Sequence, residues 1–197
     1  MRVAWGGSDP GGGPVTYTVQ ERIGTGAWTT VVGATSARST IRSWKPGLLY
    51  SYRVRVTDQA GKVSAWRTAT GRRATASTES STRLAYQGTW RSGTSTKFWG
   101  GTSRWSDRVG ASVTATVTGR GFAWVSTVGP TRGKAKVYVN GVYLRTVDLY
   151  APTTGAARIV LVQEWSSTAT RRVTITVVGT AGRPRVDMDG IISLALS

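Results

Sequence analysis

Apolar side chains recur at every second residue along most of this chain, and that period constrains its fold more than any other feature. Tyr50, Tyr52, Val54 and Val56 alternate with Ser51, Arg53, Arg55 and Thr57. Ala111, Val113, Ala115 and Val117 alternate with Ser112, Thr114, Thr116 and Thr118. A strand sends successive side chains to opposite faces, so such runs bury one face and wet the other. Gly, Pro, Asn and Asp interrupt the runs about every 8–12 residues, the spacing of short antiparallel strands. Helical spacing is almost absent. The pattern predicts an all-β chain of sandwich or barrel type.

The stretch Ala74 to Arg83, ATASTESSTR, has no large apolar residue and reads as a linker. It separates a domain over residues 1–73 from one over residues 84–197. In the first, strands are expected over residues 15–20, 27–32, 36–43, 50–57 and 63–66, with Arg53 and Arg55 facing solvent. In the second, about eight strands are expected, including 111–117, 121–125, 135–139, 142–149, 159–162, 173–177 and 186–194. Asn140-Gly141 is a hairpin signal, because a type I′ turn needs positive φ at both central positions.

With Trp5 on an early strand, then YTVQER, PGLLYSYRVRVTD and AGKVSAW, residues 1–73 resemble a fibronectin type III domain. The resemblance implies an immunoglobulin-like sandwich, with Trp5 in its core and Tyr50 as a tyrosine corner after the Pro-Gly turn. Trp44 stands where the family usually has Leu. The family has a strand before the Trp strand that is missing here, so the chain reads as the C-terminal piece of a longer protein or as one with a misplaced start. The second half is similar to the galactose-binding-like jelly rolls found among carbohydrate-binding modules. The residues behind this are Tyr86-Gln87-Gly88-Thr89-Trp90, Gly110-Ala111-Ser112-Val113, Val137-Tyr138-Val139-Asn140-Gly141, Thr146-Val147-Asp148-Leu149-Tyr150 and Arg185-Val186-Asp187-Met188-Asp189. This resemblance implies a binding accessory of a secreted bacterial protein.

Composition bears on chemistry. There is no His and no Cys, so imidazole bases, thiol nucleophiles and the common zinc sites are closed to these residues. The sequence therefore predicts a chain that binds and is not an enzyme. With 26 basic against nine acidic residues, the net charge is +17, which attracts polyanions. The charge is spread: residues 1–74 carry eleven basic and three acidic residues, and residues 75–197 fifteen and six. A coding sequence rich in G and C would produce the same Arg excess without any role for it. No apolar run approaches the roughly 18 residues of a membrane span. The start, MRVAWGGSDPGG, has no apolar leader core, so a signal peptide is expected upstream of Met1.

Residues 88–109 read as a long loop rich in aromatic and basic groups. Phe98, Trp99 and Trp105, with Arg91, Lys97 and Arg104, are the candidate ligand residues. Aromatic rings stack on sugar faces, and arginines bind hydroxyls and acidic groups. The competing reading has Trp99 and Trp105 packing the loop itself; Trp90 is assigned to the core. Asp187 and Asp189 are two apart and share one face of a strand. They suit a structural calcium, a salt bridge to a neighbouring Arg, or a pair of acid–base carboxyls. No other cofactor is expected.

These readings make the chain a monomeric module of a secreted or cell-surface protein, binding a polysaccharide or cell-wall glycan, acidic if the charge is used. The alternatives are a nucleic-acid binder, whose affinity would fall steeply with salt, and a structural or protein–protein module.

Overall fold

The computed structural model describes residues 2–43, 45 and 47–196. Trp44 lies outside them. Every regular element among the described residues is a β-strand, and the strand pairs between named elements are antiparallel. The all-β expectation holds. Among the described residues no helix is long and apolar enough to cross a membrane. The chain divides into two compact units, Met1–Ala74 with Leu196–Ser197, and Thr75–Ala195.

The first unit holds β1 (Arg2–Ala4), β2 (Thr16–Ile23), β3 (Thr29–Thr35), β4 (Ser39–Ile41), β5 (Leu49–Thr57), β6 (Arg67–Thr68) and the start of β7 (Arg72–Thr78). β2 runs between β5 and β3, and β6 and β7 pair with β5. The buried apolar set is small: Tyr17, Val19, Tyr50 and Ala74. Tyr50 is anchored where its Oη accepts the Lys45 N–H at 2.9 Å. Trp5, expected in the core, is only half-buried, and its indole N–H has no partner. The reason is local: β1 is three residues long and pairs only with β4 among the described strands. Residues 63–66 form a single bridge, Val63 to Thr57, where a strand was expected. Arg53 and Arg55 are half-buried where they were expected in solvent. Arg53 lies over both Trp28 (4.6 Å) and Trp66 (4.5 Å), with Arg22 over Trp28 and Arg55 over Trp66. In this alternating ladder the guanidiniums themselves lie over the indole rings, and the Nε atoms of Arg22 and Arg55 are buried there.

The second unit holds the end of β7, β8 (Leu84–Gln87), β9 (Arg91–Thr94), β10 (Thr102–Ser106), β11 (Ser112–Val128), β12 (Lys134–Val139), β13 (Val142–Asp148), β14 (Gly155–Val177), β15 (Val186–Met188) and β16 (Gly190–Leu196). One layer runs β13-β12-β14-β11-β16, with β8 also on β11; the other is β15-β10-β9. Core residues come from both layers: Val113, Val117, Phe122, Trp124, Val137, Ile175 and Leu149 pack with Val186 and Met188. The expected segments 111–117 and 121–125 are one continuous strand, and so are 159–162 and 173–177. β11 and β14 stay paired across a bulge between Gly119 and Gly121, which bends both strands. The Asn140-Gly141 turn has φ of 50° and 82°, as a type I′ hairpin requires. The stretch read as a linker is extended through Thr78, and Glu79 within it is buried. Small Ser, Thr and Ala side chains fit a pleated strand as readily as a coil, so hydropathy could not separate the two.

Phe122 is 1% exposed and stacks on Trp165 with ring centroids 5.8 Å apart. Phe122→Ala is expected to destabilise the second unit by about 3–5 kcal/mol, read as a lower midpoint in urea denaturation.

Candidate functional site

The segment expected as a loop is a hairpin. β9 and β10 pair through Arg91↔Trp105 and Thr94↔Thr102, and β10 pairs on its other side with β15 through Trp105↔Asp187. Hydropathy missed it because the buried positions are serines. Ser103 donates to the Met188 carbonyl and Ser106 to the Thr89 carbonyl, so both hydroxyls are buried with partners.

The register brings Arg91, Trp105 and Asp187 into one row across three strands. Arg91 approaches Trp105 from β9 and Arg185 from the position just before β15, at 4.9 and 4.3 Å from the ring centroid. Arg185 also donates to Asp187 at 2.6 Å, and Arg132 Nε does so at 3.0 Å. Asp187 is fully buried, so one carboxylate carries two guanidiniums in a dry setting. Segment 183–185 can reach β12 because residue 133 is glycine: a Cβ there would lie 2.3 Å from the Arg183 carbonyl oxygen. Gly133 N–H donates to Arg185 O, and Arg183 donates to Arg132 O and pairs with Asp148. Hydrogen bonding from Arg183 holds the Asp148 carboxyl below the usual range, against a smaller effect of burial.

The other sequence candidates separate. Arg104 points to the opposite face of β10 and lies 4.6 Å over Tyr86, which also packs edge-on to Trp90. Trp90 packs against the core, as assigned. Lys97 is exposed in the β9–β10 turn, and Phe98 in that turn is half-buried. Trp99 fastens the turn: its N–H donates to both Asp189 carboxylate oxygens (3.1 and 3.2 Å), and its ring covers Gly190, where a Cβ would sit 2.8 Å from it. Sequence reasoning missed Arg132, Arg183 and Arg185; the only signal was their density around a Gly-rich turn.

Asp187 is occupied by Arg132 and Arg185, the salt-bridge alternative. Among the described residues no group of three or more acidic side chains comes together to hold a metal. Asp189 is also fully buried. Burial pushes its pKa up to about 6; N–H donors from Trp99 and Ala157 oppose the shift, and the charges of Glu79 and Asp187 add to it. Glu79 beside it is buried, with one oxygen accepting from Thr102 and Oε2 without a partner.

No protein-family model matches this chain. Over 106 residues it is 35% identical to a protein of Flavonifractor plautii named A type blood N-acetyl-alpha-D-galactosamine deacetylase, a match covering 54% of this chain and 13% of that protein. Among solved structures, a two-domain esterase active on acetylated mannans is similar with a TM-score of 0.49 at 13% identity, over 64% of this chain and 37% of that one. A family two carbohydrate esterase from Cellvibrio japonicus gives 0.47 at 12%, over 63% and 34%. Both structural likenesses are too distant to argue from. The match to a protein named as a deacetylase overturns the expectation that the chain has no enzymatic role. The absence of His limits only the reagents that these residues supply.

Two outcomes are expected. Asp187→Ala leaves two guanidiniums unpaired and should destabilise the second unit by about 3–5 kcal/mol, measured by chemical denaturation at neutral pH. For Asp189, the folded pKa lies above the unfolded value of about 3.9, so its contribution to stability is present below pH ~4 and lost as pH rises through about 6. Asp189→Asn should remove that fall, on the order of 2 kcal/mol, from the melting temperature followed between pH 4 and 7.

Proposed function

We propose that this chain supplies glycan contacts to a carbohydrate-active enzyme, through the edge of the second unit where Arg91, Trp105 and Arg185 meet. The observation that carries the reading is the 35% identity to a protein named for deacetylation of an N-acetylgalactosamine. The site supports it chemically. Guanidiniums stacked on an indole keep a fixed plane, and their outward N–H groups become oriented donors for sugar hydroxyls or acidic substituents. Because Trp105 has two guanidiniums close to its ring, recognition rests on these donors more than on ring stacking. For the first unit we propose a type III-like spacer, a reading supported by the buried Tyr50 with its hydroxyl turned back to the Lys45 N–H.

The test is a glycan array probed with the full chain, including structures terminating in N-acetylgalactosamine. Binding to a defined glycan set, weakened about tenfold or more in Trp105→Ala, is the expected result. An array on which the folded chain binds nothing would overturn the reading.

A further inference from the structure

Three carboxylates in the second unit are each straddled by two cations. Asp107 lies 3.6 Å from Arg91 and 3.4 Å from Arg108. Asp187 lies 2.6 Å from Arg185 and 3.0 Å from Arg132. Asp148 pairs with Arg183 at 2.5 Å and with Lys134 at 4.0 Å. Six positive charges on three negative ones leave an excess of three. The three groups are joined. Arg91 and Arg185 share the Trp105 ring, and Arg183 donates to the backbone oxygen of Arg132 at 2.8 Å. Tyr150 extends the row with its ring 5.2 Å from the Arg183 guanidinium.

The excess charge is not all free to solvate itself. The side chains of Arg132, Arg185 and Arg183 are only 12%, 27% and 23% exposed. A partly desolvated cation without its own counter-charge favours an incoming anion, because the water that would screen it is already displaced. Arg91, at 51% exposure, sits at the outer end. Arg91, Arg183 and Arg185 are each held by a carboxylate and a ring, which limits their rotation and suits them to carboxylate or sulfate oxygens.

We propose that this band from Arg91 through Arg185 and Arg132 to Arg183 is a binding track for an acidic polysaccharide, one that carries carboxylate or sulfate groups on successive units. The inference rests on the glycan reading above and narrows it from glycans in general to polyanionic ones. Nucleic acid is the competing polyanion. It would add base stacking on exposed rings, and the Trp105 ring already has two guanidiniums at 4.9 and 4.3 Å from its centroid.

The experiment is affinity electrophoresis of the full chain through gels containing polygalacturonate, a sulfated glycosaminoglycan or a neutral galactan, with a DNA duplex as competitor. The variants are Arg91→Ala and Arg183→Ala, neither of which touches buried Asp187. The control is Arg172→Ala, which removes an exposed charge beside the Asn140 turn at the far end of β12 from Lys134. Unchanged melting temperatures establish that each variant is folded. Expected are retention by the acidic polysaccharides, a fall of about tenfold in each band variant, little change in the control, and weakening as salt rises from about 50 to about 200 mM, which roughly halves the screening length. Equal retention by the neutral galactan would overturn the inference and leave the glycan reading standing. DNA competing as strongly as acidic polysaccharide, with the same arginine dependence, would overturn it in favour of a general polyanion site. Retention by no polysaccharide at all, acidic or neutral, would remove both.

Discussion

One buried carboxylate organises the second unit's functional edge. Asp187 has no solvent exposure, and burying a charge there is tolerable only because two guanidiniums reach it. Arg185 comes from the residue just before β15 and Arg132 from the turn before β12, so the carboxylate ties the small three-stranded layer to the large one. The same contacts set where each guanidinium can lie. Arg185 is held on Trp105, and Arg132 offers its carbonyl to Arg183. Without Asp187 these arginines would repel one another and reorient into water.

The rest of the unit keeps that edge rigid. β11 and β14 run side by side over most of their length, and the fully buried Trp124, Phe122, Val137 and Ile175 pack beneath them. Against this frame the β9–β10 turn is fastened where the Trp99 N–H meets Asp189 and its ring lies over Gly190. The price is a carboxyl whose ionisation is disfavoured by burial and by Glu79. The first unit is held differently. Its buried apolar set is small, and alternating Arg and Trp side chains cover the β2–β5 surface.

Much of the architecture was legible as pattern. The alternations at Tyr50–Val56 and Ala111–Val117 marked strands that exist, and Asn140-Gly141 marked a turn with both residues at positive φ. The hairpin over residues 91–106 was not legible, because its buried positions are Ser103 and Ser106, whose hydroxyls are satisfied by carbonyls that no local pattern predicts. Of the candidate ligand residues, Arg91 and Trp105 are brought together, whereas Arg104 lies on the other face and Trp99 serves as an anchor. Arg132, Arg183 and Arg185 went unnoticed, since in a chain this basic an arginine carries little information by itself.

By itself, then, the order of residues determined the strands with clean apolar alternation, the Asn140-Gly141 turn and the surplus of positive charge, because backbone period and side-chain charge are local properties. It did not determine which cations share a carboxylate. Asp187 and Arg132 are 55 positions apart, and Asp148 and Arg183 are 35 apart. Pairings at that separation follow from sheet register and from the close approach that Gly133 permits, and both exist only once the two layers have packed.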